Sequence, residues 1–369
     1  MRRGRGIGLV LAAFIAASWA AAPATAWACG AMVSSNGQAE MSGFVSLVSA
    51  DGAGEDMVTT IGYGGQTTDF GWLMPLPAPP QITQADTSGV DAAALITEPP
   101  HYSRLNFLPL PILGGARSGA PSAVDLGRTV LAGVEFVTLR ASGTDALSAW
   151  MAANGFAYHD QQSQALGSYL QRGWVVVAAR LTREVAATGR SISIRLRFPS
   201  ATLVYPLVVA SNSHPDATVR TTFYVVTPWR PIAEGLPTQI VRPDDQGNFG
   251  LSGDLLEMRY SAPLSSSDGA AIGASVAVPS GPWLTLYEST WRSHDLNADL
   301  VLTRSPDQSR VDFTALLARQ QAAQQFDGLI SAGFVGGFLL FLSGTPLTLI
   351  TLATVFLVQR LRRRPGTPR

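Results

Sequence analysis

The sequence has no lysine and only one cysteine, and these two gaps exclude several kinds of site. All 26 basic residues among the 369 are arginine, so a phosphate-binding loop of the GxxxxGK[ST] type cannot form. Cys29 stands alone, which excludes an intrachain disulfide framework and a CxxC metal site. The fold must therefore be stabilised by burial of the hydrophobic residues, which make up 46% of the chain.

The common catalytic signatures are also missing from the sequence. There is no HExxH or H-x-H pair for a metal and no GxSxG turn for a nucleophilic serine. The four histidines are far apart in the chain, and each is interpreted as an ordinary surface or loop residue. The sequence therefore indicates no catalytic, metal-binding or cofactor-binding residue, although a triad assembled from distant residues stays open.

The net charge of zero hides an uneven distribution of charge along the chain. Eight of the 26 arginines lie in the first five and last ten residues, and every acidic residue lies between these ends. The middle therefore carries 18 arginines against 26 acidic residues, a net charge of about −8. Proteins that bind nucleic acid need a basic surface, so an acidic middle argues against such a partner.

Residues 1–28 have the pattern of a signal peptide, with arginines first, then an apolar stretch, then small residues up to an A-x-A site. An uncleaved anchor helix is the alternative, but the apolar stretch is shorter than the ~20 residues that a membrane span needs. Cleavage after Ala28 would leave Cys29 at the mature N-terminus. Cys29 is then either a site of processing or lipidation or an ordinary cysteine, and both readings stay open.

The C-terminal region has the pattern of a membrane anchor. Residues 328–358 contain no ionisable side chain, and this run exceeds the ~20 residues that cross a bilayer. We place a transmembrane helix at 334–358, after a stalk at 314–333, and a basic cytoplasmic tail at 359–369, because arginine-rich flanks stay in the cytoplasm. A buried core helix and a sorting tail that is cleaved after insertion are the alternatives.

The region between these ends alternates between strand-like and turn-like segments. Strands are expected at 41–49, 56–63, 68–75, 129–140, 174–182, 191–198, 203–211, 218–227, 253–260, 283–291 and 299–303. Helices are expected at 87–97, 144–154 and 160–171, because each has an apolar face and a terminating glycine or proline. Residues 99–125 are expected to form a long loop, and residues 174–179 a strand buried on both faces.

Two segments are candidates for binding. Trp72 is followed by four prolines whose fixed backbone would lower the entropy lost on contact with a partner. The alternative is that Trp72 packs in the core while the prolines end an edge strand. Residues 244–248 begin like a calcium loop but have phenylalanine and leucine where glycine and glutamate belong, which favours a solvated turn. The candidate binding segment comprises Trp72, Pro75, Pro77, Pro79 and Pro80.

Several of these patterns together resemble a bacterial family known only as domain of unknown function 2330. The resemblance covers about residues 29–305 and implies an exported protein, often with a C-terminal membrane helix, but no known activity or catalytic residue. The residues that carry it are Cys29-Gly30, 69–77, 145–150 with 154–156, Tyr169-Leu170-Gln171-Arg172-Gly173-Trp174 with 177–181, and Tyr205-Pro206-Leu207.

The sequence thus predicts an α+β fold, a mostly antiparallel, β-rich exported domain at 29–313 with a helical pair, followed by one transmembrane helix. The expected function is a non-enzymatic binding or scaffold module on the extracytoplasmic side of the cell membrane. Its expected partners are the membrane and other cell-envelope proteins or polymers. The alternative is an extracytoplasmic hydrolase that uses two carboxylates near residues 244–257.

Overall fold

The computed structural model consists mainly of strands, joined by turns and short helices. It describes residues 31–34, 43–61, 70–97, 124–154, 160–181, 192–212, 218–244, 248–249 and 255–320. The strands are β1 Ala31–Ser34, β2 Gly43–Ala50, β3 Glu55–Ile61, β4 Phe70–Leu76, β5 Gln81–Gln84, β6 Val124–Leu131, β7 Val134–Arg140, β8 Val175–Leu181, β9 Ile192–Phe198, β10 Leu203–Tyr205, β11 Thr218–Thr227, β12 Pro231–Glu234, β13 Thr238–Ile240, β14 Leu256–Pro263, β15 Trp283–Arg292 and β16 Leu300–Arg304. The α-helices are α1 Ser88–Thr97, α2 Thr144–Ala153, α3 Asp160–Gln171 and α4 Ser266–Ile272.

Three sheets organise these strands. A five-stranded antiparallel sheet has the order β1-β4-β8-β7-β6. An eight-stranded sheet has the order β13-β14-β15-β11-β2-β3-β9-β5 and is antiparallel except where β11 pairs with β2 and β13 with β14. A short sheet places β16 between β10 and β12. The expectation of a β-rich α+β fold with mostly antiparallel strands is therefore confirmed.

The two large sheets share one hydrophobic core, and each has helices on its outer face. Alternate side chains of the strands, such as Trp72 and Val177 on one sheet and Phe223 on the other, belong to the shared core. The intervening residues of the five-stranded sheet pack against α2 and α3. Those of the eight-stranded sheet pack against α1 and α4. Strand β8 is buried on both faces at Val175–Ala179, as its continuous apolar run predicts.

Helices α1, α2 and α3 lie where the periodicity of the sequence places them, and α2 and α3 form the expected pair. Leu147, Trp150 and Met151 of α2 face the five-stranded sheet together with Leu166 and Tyr169 of α3. Both helices therefore bury the apolar face that spacing of three and four residues produces.

One expected strand, 129–140, is instead a hairpin of β6 and β7. The chain reverses at Ala132 and Gly133, whose φ angles are 55° and 77°. Two successive residues with positive φ give the tight turn whose twist suits a hairpin. Alanine rarely adopts this conformation. The turn therefore lacks the usual Asn-Gly or Asp-Gly signal, which is why the sequence did not predict it.

A second expectation, a strand across 203–211, is also wrong. Strand β10 ends at Tyr205, and residues Val208–Asn212 form a 3-10 turn. Pro206 has no backbone N–H for the sheet ladder, so the strand cannot continue through it. Strands β1, β5, β12 and β13 and helix α4 are short and were not predicted.

The chain divides into two compact units, and the sheets described above belong to the first. The second unit comprises residues 243–248 and 314–369, of which 243, 244, 248 and 314–320 are described. Residues 314–320 are helical, and the Gln320 amide donates to the Asp244 carbonyl at 2.9 Å. Among the described residues, no helix combines the length and apolar character that crossing a membrane requires. The predicted signal peptide at 1–28 and transmembrane helix at 334–358 lie outside those residues.

Glu55, the first residue of β3, has a buried carboxyl group. Its side chain is about 1% exposed, and one oxygen accepts a hydrogen bond from the Val204 N–H at 3.0 Å. The other oxygen, Oε1, has no partner among the described residues. Burial raises the pKa of Glu55 well above its ordinary value, because the charged form loses hydration and the single hydrogen bond offsets this loss only in part.

We expect Glu55→Gln to remove a component of the pH dependence of stability. Because the pKa of Glu55 is higher in the folded than in the unfolded chain, the contribution of this group to stability is fully present below the unfolded pKa of 4.5 and is lost as pH rises through the folded pKa. Between these two pKa values each pH unit costs about 1.4 kcal/mol. Urea unfolding at several pH values should show this loss for the wild type but not for the variant.

The matched control is Glu234→Gln, which changes an exposed glutamate of β12 and should leave the pH dependence unaltered. If wild type and Glu55→Gln lost stability in parallel from pH 4.5 to 8, the carboxyl of Glu55 would not be titrating as described.

Candidate functional site

The C-terminus of α3 turns sharply and brings three side chains of one short segment together. Gly173 has a φ of 78°, and its N–H donates to the Leu170 carbonyl at 2.9 Å. The Trp174 N–H donates to the Tyr169 carbonyl at 3.1 Å. This is the left-handed helix end that glycine allows without strain. It folds the chain back so that the rings of Tyr169 and Trp174 lie 5.1 Å apart.

The guanidinium of Arg172 rests on these two rings. Its central carbon lies 4.6 Å from the centre of the Tyr169 ring and 4.5 Å from that of Trp174. Its Nε donates to the Ser168 carbonyl at 3.3 Å. These contacts restrain a cation whose side chain is nevertheless 48% exposed.

Asp299 supplies the opposite charge from a distant part of the chain. Its Oδ1 accepts hydrogen bonds from the Leu207 and Val208 N–H groups at 3.0 and 3.2 Å and from the Tyr169 hydroxyl. Its Oδ2 lies 3.4 Å from an Arg172 nitrogen, a long contact for an ion pair. The antiparallel pairing of β10 with β16 explains the meeting, because the end of one strand lies beside the start of the other.

Arg172 and Asp299 line an open groove of about 510 Å³, which we call the Arg172 groove. It combines one cation, one carboxylate, two carboxamides and a hydroxyl within a small area. Described residues give Arg172 only the Ser168 and Asp299 contacts, so part of its donor edge is left for a ligand. The lining residues are Ser168, Gln171, Arg172, Val208, Asn297, Ala298 and Asp299.

The electrostatics of the groove suit binding better than proton transfer. Burial raises the pKa of the Tyr169 hydroxyl, and the nearby negative charge of Asp299 raises it further, so this group stays protonated and donates. The carboxylate of Asp299 is only 8% exposed and is occupied by three donors on one oxygen. The groove therefore holds its charges in fixed positions.

A second acidic group lies in the eight-stranded sheet, next to the region where the sequence suggested two carboxylates. Glu257 and Glu288 face each other across β14 and β15. Arg259 forms ion pairs with both, at 2.9 Å to Glu257. Glu257 has no exposed surface. Both carboxylates are therefore engaged by one arginine, and Glu257 lacks the access that a sugar substrate needs.

The structure separates the members of the predicted binding segment. Trp72 is fully buried in the core shared by the two large sheets, and its indole N–H has no partner among the described residues. Pro75 is buried within β4, beyond the residues that β1 covers. Pro77 and Pro80 are half-buried and Pro79 is exposed, so only the last part of the segment reaches the surface.

The other sequence candidates are either outside the described residues or simple turns. Cys29 lies outside them. The Asn248 N–H donates to a carboxylate oxygen of Asp244 at 2.8 Å, which closes a turn within the second unit. Across the described ranges, no group of three or more histidine, cysteine, aspartate or glutamate side chains has the arrangement of a metal site.

A comparison with protein families identifies the group to which this sequence is related. A family model described as an uncharacterised protein conserved in bacteria (DUF2330) matches residues 23–234. The chain belongs to this family. The DUF2330 match includes Ser168, Gln171, Arg172 and Val208 of the groove, whereas Asn297–Asp299 lie after its end. The earlier expectation of a match to about residue 305 is therefore longer than the region the family model covers.

Other comparisons add little to the DUF2330 assignment. No curated protein matches the chain significantly. Among solved structures, baculovirus P35 aligns at 10% identity and a TM-score of 0.35 over 75% of this chain and 100% of that chain. P35 in its complex with caspase-8 aligns at 11% identity and a TM-score of 0.33 over 71% and 96%. TM-scores this low support no conclusion about function.

The resemblance noted from the sequence includes two of the seven residues that line the groove, Gln171 and Arg172, but gives them no role. The segment from Tyr169 to Trp174 was noted for its family resemblance, and its two aromatic residues beside an arginine and a glycine are the available signal. Asp299 was assigned only to the start of a strand. Its role depends on a contact across 130 residues of sequence, which no local pattern reveals.

We expect Tyr169→Phe to lower the free energy of unfolding by about 1–2 kcal/mol, because Asp299 loses one of its donors while keeping two. Urea unfolding measures the change. Tyr260→Phe is the matched control, since this tyrosine is also buried and no hydrogen bond from its hydroxyl occurs among the described contacts. Equal losses in the two variants would show that the bond to Asp299 does not stabilise the fold.

Proposed function

We propose that this chain is a membrane-anchored protein of the bacterial cell envelope whose folded domain binds other envelope components without catalysing a reaction. The exported topology is inferred from the two ends of the sequence. The binding role is supported chiefly by one observation, the guanidinium of Arg172 held against two aromatic rings in a residue that lines an open groove. A cation fixed in this way loses little entropy when it pairs with a ligand.

A hydrolase with two carboxylates is the alternative and has weaker support. Such an enzyme needs one carboxyl group that can release a proton and a second that can reach the substrate. Glu257 and Glu288 are both paired with Arg259, and Glu257 is inaccessible. The Arg172 groove holds one carboxylate, so it offers no pair of this kind.

The proposed topology predicts opposite behaviour at the two ends of the chain. A fluorescent protein that matures only in the cytoplasm should be fluorescent when fused after Arg369, because arginine-rich tails do not cross the membrane. Alkaline phosphatase, which is active only outside the cytoplasm, should be active when it replaces the chain beyond residue 320. Activity of alkaline phosphatase fused after Arg369 would contradict the proposed orientation.

The proposed binding role predicts that the detergent-solubilised full-length protein sediments with envelope sacculi that retain their attached proteins. Arg172→Ala should weaken this binding about tenfold or more, as expected for the loss of a charged hydrogen bond worth about 1.5 kcal/mol. The matched control is Arg220→Ala, which removes an exposed arginine of β11 outside the groove. Sedimentation that does not occur, or that both variants retain equally, would refute the groove as the binding site.

A further inference from the structure

We infer that the Arg172 groove recognises a carboxylate that has a hydrogen-bond donor, either hydroxyl or ammonium, on the neighbouring atom. This chemistry is shared by aldonic acids, other α-hydroxy acids and α-amino acids. The inference rests on the proposed binding function and assigns a ligand class to the same site. It depends on the hydrogen-bond partners of the two charged side chains that line the groove, Arg172 and Asp299.

Arg172 selects the carboxylate. The guanidinium lies against the rings of Tyr169 and Trp174, and Arg172 lines the groove. Among the described contacts, its hydrogen bonds to Ser168 and Asp299 use Nε and one terminal nitrogen, so other N–H donors are left for a ligand. A planar fork of donors matches the two oxygens of a carboxylate in a bidentate pair. The contact with Asp299 uses only one nitrogen at 3.4 Å, so it does not saturate that fork.

Asp299 selects the neighbouring donor. Its Oδ1 is saturated by two backbone N–H groups and the Tyr169 hydroxyl. Among the described contacts its Oδ2 has only the long one with Arg172, and Asp299 lines the groove. An ionised carboxylate accepts hydrogen bonds but cannot donate them. A ligand group that approaches Oδ2 must therefore supply a proton, and it must do so close to the carboxylate that Arg172 holds.

The same arrangement disfavours a phosphate. Described lining residues provide one cation, Arg172, and its charge is balanced by Asp299 at 3.4 Å. A phosphate dianion would place two negative charges beside this carboxylate without a second cation to offset them. The carboxamides of Gln171 and Asn297 can donate and accept, which suits the hydroxyl groups of a larger ligand.

The test is a set of ligand-observed NMR titrations of the full-length protein in detergent. The probes are D-gluconate, L-alanine, acetate and inorganic phosphate, the last measured by displacement of gluconate. We expect gluconate or alanine to bind with a dissociation constant of about 1–10 mM, as for small ligands held by a few hydrogen bonds. Acetate, which lacks the neighbouring donor, should bind several-fold more weakly, and phosphate should not compete. Preference for gluconate would indicate an α-hydroxy acid, and preference for alanine an amino acid.

Two variants separate the roles of the charged residues. Arg172→Lys keeps the charge but loses the flat fork, so binding of both carboxylates should fall about tenfold. Asp299→Asn keeps an acceptor for Leu207, Val208 and Tyr169 but puts an amide in place of Oδ2. This variant should weaken the binding of gluconate or alanine yet leave the binding of acetate unchanged or tighter, since a negative charge is removed. A merely structural loss would weaken all probes together.

Equal binding of acetate and the donor-bearing probes, tighter binding of phosphate, or no binding of any probe would overturn the inference. Arg220→Ala is again the control and should match the wild type, while melting temperatures verify that the variants are folded. The outcomes stay distinct from those for the proposed function. Sedimentation that depends on Arg172, without recognition of these probes, would refute only the ligand class, whereas a failed topology test would leave the titrations unaffected.

Discussion

The fold depends on covering strands that are apolar on both faces. Strand β8 has no exposed side chain from Val175 to Ala179, and β2 and β11 alternate between residues of two different cores. A sheet of this kind is stable only if both faces are removed from water. The two large sheets pack together on their inner faces, and two helices cover each outer face. The result is four layers of secondary structure around three hydrophobic clusters.

The Arg172 groove is a consequence of this layering. Helix α3 covers the five-stranded sheet, and its C-terminus reaches the short sheet in which β10 pairs with β16. The free N–H groups after β10 need an acceptor, and Asp299 before β16 provides it. Tyr169 and Arg172 then connect the helix to the same carboxylate. Hydrogen bonds within the fold thus fix Oδ1 of Asp299. Its other oxygen has only the long Arg172 contact among the described residues, and Asp299 lines the groove.

The ion pairs of the domain show how a carboxylate can be excluded from chemistry by its partners. Asp56 lies on the eight-stranded sheet, only 2% exposed, and forms ion pairs with Arg195 at 2.5 Å and Arg197 at 3.3 Å. It also accepts from the Ala277 N–H at 2.9 Å, which attaches the segment after α4 to the sheet. Glu257 is similarly engaged by Arg259. In a chain without lysine, arginine makes these contacts, and its several donors can satisfy more than one carboxylate oxygen.

Local patterns in the sequence determined the class of fold and most of the longer elements. Helix α3 and strands β8 and β11 follow from periodicity and apolar runs, because each must present a fixed set of faces to its neighbours. The hairpin turn at Ala132 and the short strands escaped prediction, because only the surrounding packing holds alanine at positive φ or a few residues in a sheet. Trp72 illustrates the same limit. The sequence left open whether its side chain is buried, and packing between the two large sheets buries it. The meeting of Arg172 with Asp299 was decided by tertiary structure alone, because strand pairing between β10 and β16 brings together charges that are far apart in the chain.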